Sequence, residues 1–106
     1  KKIDIIILET KENGQIASLF ANHHTIQNEE SKFIYTETSP KFPKKRITIT
    51  KNLISKSKVS FLLFINQNTK NTYETFSNQN TNPQNCPATI TKEIKNLYII
   101  SNFIKK

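Results

Sequence analysis

The chain has 106 residues with one glycine, one cysteine and no methionine or tryptophan, and its formal net charge is +8. A chain of this length suits one domain with one core, and a single glycine excludes the phosphate-cradling and dinucleotide-binding loops that need several. No apolar run approaches the roughly 20 residues of a membrane-spanning helix, and the positive charge is almost all lysine, with Arg46 the single arginine, so a base-reading nucleic-acid protein is not favoured.

Ile3–Thr10 opens with β-branched residues in near-continuous succession, as in a strand buried on both faces. Asn13-Gly14 follows as the strongest turn dipeptide, since both residues tolerate the positive φ of a tight reversal. Gln15–Phe20 reads as a second strand, although Ile16, Leu19 and Phe20 also fit helical spacing. Asn22–Ser31 is a polar loop with room for one helical turn over Thr25–Glu30, and Lys32–Thr38 alternates into a strand. Ser39–Lys45 contains Pro40 and Pro43 and is a connector, because each proline removes a ladder donor. Arg46–Thr50 alternates with Ile47 and Ile49 inward.

After the polar turn Lys51–Lys58, Val59–Ile65 is the central-strand candidate, with Val59, Phe61, Leu63 and Ile65 on the face read as inward and Leu62 and Phe64 on the other. Asn66–Asn71 is an asparagine-rich turn, Thr72–Phe76 a short returning strand and Ser77–Pro87 a low-complexity surface loop. Thr89–Ile94 and Leu97–Ile104 close the chain as strands. About seven or eight short strands without a long amphipathic helix predict an all-β fold, a small antiparallel β-sandwich, because a parallel sheet needs crossover helices.

Candidate chemistry is sparse. His23-His24 lacks a second ligand cluster, and adjacent side chains on an extended chain point apart, so no metal site is expected. Cys86 is a potential nucleophile only if the fold brings His23 or His24 beside it; otherwise it is a small buried hydrophobe. Glu29-Glu30 has no partner pattern for paired-carboxylate chemistry. The basic run Lys41–Arg46 reads as a solvated connector protecting a strand edge rather than as a phosphate contact. No catalytic residue and no cofactor are expected.

Lys1 is not a start residue, so the expectation is that residues 1–106 form a single domain, the mature part of an exported precursor. The apolar strand Ile3–Leu8 entering Glu12-Asn13-Gly14, the order Ile47–Thr50, Val59–Ile65, Tyr73–Phe76, and the terminal strand together resemble the TssJ class of type VI secretion lipoproteins. That resemblance implies a non-enzymatic assembly domain in the periplasm, held at the outer membrane by a lipid anchor upstream of Lys1 and docking another protein of a membrane-associated assembly. The preorganised turn Lys11, Glu12, Asn13, Gly14 and Gln15 is the expected partner contact, since a pinned loop loses little entropy on binding. The alternative from another class is a basic oligonucleotide-binding β-barrel using lysines with Phe61, Phe64 or Tyr73.

Overall fold

The computed structural model describes residues 2–102. In chain order the elements are β1 (Ile5–Glu9), β2 (Phe33–Thr36), β3 (Arg46–Ile49), α1 (Lys51–Ser55), β4 (Val59–Phe64), α2 (Lys70–Ser77) and β5 (Asn96–Ser101). Short 3-10 turns cover Glu12–Gly14, His24–Gln27, Gln67–Thr69 and Pro87–Glu93. The part of the expected last strand beyond residue 102 lies outside the described residues.

The main sheet is three-stranded in the order β1-β4-β5, and both of its pairings are parallel. β2 and β3 form a separate antiparallel pair, with Phe33 opposite Ile49 and Tyr35 opposite Ile47. The expected all-β antiparallel sandwich is therefore wrong, as is the oligonucleotide-binding barrel: this is a mixed α/β fold. The physical reason lies in the connection from β4 to β5. It is made of the short α2 followed by the 3-10 segment Pro87–Glu93, so no long amphipathic period marks it as a crossover.

Several local readings change with it, and Thr89–Ile94, expected as a strand, lies in the 3-10 segment Pro87–Glu93 and its cap. Tyr73 and Phe76 are three residues apart, and in α2 both pack on Phe64 of β4, with ring centroids 5.3 Å away in each case. Thr72–Phe76 is thus helix, and its aromatic residues meet at helical spacing. Lys51–Ser55 is helix because Thr50, with extended backbone, caps it by accepting the Leu53 N–H. Gln15–Phe20 is not a strand. It is an irregular turn closed by a bridge between Ile16 and Leu19, with Ala17 at φ 50°, and it sinks Ile16 and Leu19 completely.

One face of the parallel sheet forms the core. Leu8 of β1 pairs with Leu62 of β4, and Leu62 and Phe64 are fully buried with Ile54 of α1. The inward face of β4 is consequently that of Leu62 and Phe64, opposite to the sequence expectation. Apolar residues occupy both faces of this strand, so alternation alone cannot choose between them.

Candidate functional site

The loop after β1 is fixed by backbone bonds before any side chain acts. Thr10 N–H donates to Leu63 C=O at 2.8 Å, Lys11 N–H to Gln15 C=O at 2.8 Å and Gly14 N–H to Lys11 C=O at 3.1 Å. Asn13 (φ 63°) and Gly14 (φ 82°) both take the left-handed conformation, which glycine adopts freely and asparagine tolerates. Gly14 is also required by space, because a Cβ there would lie 2.6 Å from Cys86 Sγ.

Beside this loop, at the end of the sheet where β1 terminates, opens a cleft of about 600 Å³ walled by Glu12, Asn13, Gln15, Lys41, Thr72 and Cys86. Ligands of open α/β sheets bind outside the carboxyl ends of parallel strands, so the position fits the architecture. Glu12 Oε1 accepts from Asn68 Nδ2 at 3.5 Å, and buried Gln15 donates through Nε2 to Ala17 C=O at 2.9 Å. Of the five loop residues marked in the sequence, Glu12, Asn13 and Gln15 reach the cleft. Lys11 is paired with Glu9 at 3.3 Å, and Gly14 serves as a backbone hinge against Cys86.

Lys41 is brought there by Arg46. The guanidinium donates to the carbonyls of Pro43 and Phe42, each at 2.8 Å, and sits 5.1 Å over the Phe20 ring, so it holds the proline-containing connector from inside. Residues 41–45 are exposed, as a solvated connector would be, but the sequence reading did not foresee the anchoring of this connector by Arg46. The signal present was Pro40 and Pro43 flanking Lys41 and Phe42, which stiffens the loop that carries Lys41.

Cys86 is buried, and loss of solvation pushes its thiol pKa up, against the smaller opposing effects of the Ala88 and Thr89 backbone groups and of Lys92. It is a packing residue rather than a thiolate nucleophile. His23 and His24 do not line the cleft; their rings lie 4.3 Å apart because a 3-10 turn starts between them, and both contact Thr38. Because a carbonyl only accepts, His23 donates through Nε2 to Thr38 C=O at 3.0 Å, which leaves Nδ1 to accept the Thr25 N–H as a helix cap. Among the described residues no three His, Cys, Asp or Glu side chains converge as a metal site. The cleft therefore offers amides and hydroxyls for hydrogen bonding, one carboxylate, and one ammonium that can meet an anion.

Residues 1–99 match the family described as glucosamine-6-phosphate isomerases/6-phosphogluconolactonase. A 6-phosphogluconolactonase of Borreliella burgdorferi is 37% identical over 99 residues, covering 93% of this chain and 42% of the relative. Two solved 6-phosphogluconolactonases share the fold. That of Leishmania guyanensis superposes with a TM-score of 0.78 at 18% identity, covering 94% of this chain and 39% of the other. That of Thermotoga maritima gives 0.73 at 22% identity, with 96% and 44% covered. The chain thus spans about two-fifths of the length of the relatives it matches.

These matches overturn the resemblance to TssJ lipoproteins, which rested on strand order and turn composition that many β-rich chains share. With it fall the secretion-assembly role, the partner protein of a membrane-associated assembly, the lipid anchor and the periplasmic location. The expectation of a non-enzymatic domain falls too, since the relatives are named as enzymes. Among the described residues no helix is long and apolar enough to cross a membrane. A family match across residues 1–99, a relative at 37% identity and a shared fold agree: the chain belongs to the glucosamine-6-phosphate isomerase/6-phosphogluconolactonase family.

Proposed function

We propose that this chain supplies the sugar-phosphate cleft of a 6-phosphogluconolactonase, binding a phosphorylated sugar lactone and its open-chain acid. The observation that carries the reading is the cleft itself: one ammonium, Lys41, set in a wall of amides and hydroxyls at the end of a parallel sheet. Lys41 meets the phosphate as a point charge, while Asn13, Gln15 and Thr72 hydrogen-bond sugar hydroxyls. The loop Lys11–Gln15 is in this reading a ligand contact, with Lys11 and Gly14 shaping it and Glu12, Asn13 and Gln15 touching the ligand.

Lactone hydrolysis adds water to the carbonyl carbon, breaks the ring carbon–oxygen bond and moves a proton to the departing ring oxygen. Among the wall residues, the Glu12 carboxylate is the group able to take that proton from water and return it, because Asn13 and Gln15 are amides and Cys86 remains a thiol. The test is calorimetric titration of the chain with 6-phosphogluconate, beside a proton-release assay of lactone hydrolysis. Lys41→Ala should weaken binding at least tenfold, and Glu12→Gln should abolish turnover while sparing binding. Absence of binding by the wild-type chain refutes the cleft reading. Binding with no hydrolysis above background refutes the role of Glu12 and leaves a sugar-phosphate-binding chain.

A further inference from the structure

Side chains of neighbouring residues on an extended chain point apart. Those of His23 and His24 do not, because His23 is extended while His24 opens the 3-10 turn His24–Gln27, and their rings lie side by side with planes 37° from parallel. Both rings turn the same atom toward one point. Nε2 of His23 lies 3.1 Å and Nε2 of His24 3.2 Å from Thr38 Oγ1, and His23 Nε2 is also 3.0 Å from the Thr38 carbonyl oxygen. Two imidazole nitrogens, a hydroxyl and a carbonyl oxygen thus converge from two segments, the turn before β2 and the residues just after it. On its other side His23 is already held, with Nδ1 2.9 Å from Thr25 Oγ1. A hydrogen bond at the second ring nitrogen is what fixes the orientation and tautomer of a metal-ligating imidazole. His24 and Thr38 are exposed, and His24 also walls an open groove of about 590 Å³ with Asn28 and Glu30, so water has access to complete a coordination shell.

We propose that His23 and His24, together with Thr38, bind one divalent transition-metal ion. Imidazole nitrogen suits zinc, nickel and copper, whereas calcium and magnesium take oxygen shells. The surroundings favour a cation over an anion: across residues 22–38 the carboxylates Glu29, Glu30 and Glu37 outnumber the one ammonium, Lys32, in a chain that is otherwise basic. Glu30 is itself paired with Lys32 at 3.3 Å and is not a ligand in this arrangement. On binding, the His23 proton moves from Nε2 to Nδ1, where Thr25 Oγ1 accepts it, and the Nε2 lone pair goes to the ion; the Thr25 N–H gives up only a 3.4 Å contact. The site adjoins the cleft without belonging to it. His23 follows Asn22 and Thr38 stands two residues before Pro40, and Asn22 and Pro40 are both cleft walls, so a bound ion clamps together the two segments that carry them.

The experiment titrates zinc chloride into the 106-residue chain by calorimetry, with amide hydrogen exchange as a second reading. One ion per chain is expected. His23→Asn, which keeps a capping side chain, and His24→Gln should each weaken binding at least tenfold, and zinc should slow exchange over residues 23–28 and 36–39 in the wild type but in neither variant. Absence of binding, binding that survives both substitutions, binding that depends on one histidine alone, or binding that leaves exchange unchanged overturns the proposal. Should a variant not fold, the electron paramagnetic resonance spectrum of the wild-type chain with copper(II) decides: coupling to two imidazole nitrogens supports the site, and coupling to one or none overturns it. Sugar phosphate enters none of these measurements, so the result stands apart from the reading of the cleft.

Discussion

Replacing Gly14 by alanine tests the loop geometry from two independent directions. An alanine held at φ 82° costs about 1–2 kcal/mol relative to its preferred conformations. Its Cβ would also stand 2.6 Å from Cys86 Sγ, 3.0 Å from Cys86 Cα and 3.2 Å from Cys86 Cβ, overpacking of a kind that costs about 1–3 kcal/mol. The sum is about 2–5 kcal/mol, a large part of the roughly 5–15 kcal/mol that holds a small domain together. Urea denaturation is the assay: with a slope of about 1–3 kcal/mol per molar, a loss of 3 kcal/mol lowers the midpoint by about 1–3 M. In a Cys86→Ala background the sulfur contact is gone while the contacts to Cα and Cβ remain, so Gly14→Ala should cost less there, but still something. A loss below about 0.5 kcal/mol in the wild-type background, or the same loss in both, would refute the account of this loop.

Phe64→Ala should destabilise by about 3–5 kcal/mol in urea titrations, because it empties a fully buried site between Tyr73 and Phe76, whereas Phe61→Ala on the opposite face should cost clearly less. Equal losses would mean that the facing of β4 is wrong. Arg46→Lys should weaken sugar-phosphate binding almost as much as Arg46→Ala, since an ammonium cannot span the Phe42 and Pro43 carbonyls, and hydrogen exchange should rise over residues 40–45 in both variants. Cys86 should react slowly with thiol reagents at neutral pH. Its ordinary pKa of 9.0 is raised in the folded chain, so the unfolded chain ionises first; the stability gained from the buried thiol is complete below pH 9 and is lost as pH climbs above it. In Cys86→Ala that alkaline decline, followed by urea midpoints between pH 8 and 10, should be smaller.

What was legible in the sequence was local chemistry. Asn13-Gly14 has no other economical conformation than a left-handed turn, and both residues adopt it. Segments around Ile5–Glu9, Phe33–Thr36, Arg46–Ile49, Val59–Phe64 and Asn96–Ser101 are strands because β-branched and aromatic residues run there between turn signals. Short helices were misread for a common reason. Lys51–Ser55 and Lys70–Ser77 are too short to show a helical period, and the Thr50 cap looks like the outward threonine of an alternating strand. The cleft was legible only in part. Glu12, Asn13 and Gln15 belong to the contiguous turn Lys11–Gln15 that the sequence singles out, but Lys41, Thr72 and Cys86 arrive from segments whose convergence depends on Arg46, α2 and the hinge at Gly14.

The misassigned fold class has a deeper cause than missing helices, and it lies in the two faces of the sheet. An antiparallel sandwich and a parallel sheet make opposite demands on a strand such as Val59–Phe64. The first wants one apolar face against a partner sheet, and the second wants two, one for each covering layer. Leu62 and Phe64 satisfy a core present among the described residues, while Phe61 and Leu63, on the opposite face, are apolar and only partly buried. Strand β1 repeats the pattern, with Leu8 buried and Ile5 and Ile7 exposed. A strand belonging to a one-layer sheet would carry polar residues at those outward positions, because solvent-facing isoleucines gain nothing in stability and promote association. The two-faced apolar pattern in β1 and β4 therefore separates the two architectures, and reading both faces together points to a parallel sheet even where every helix is short.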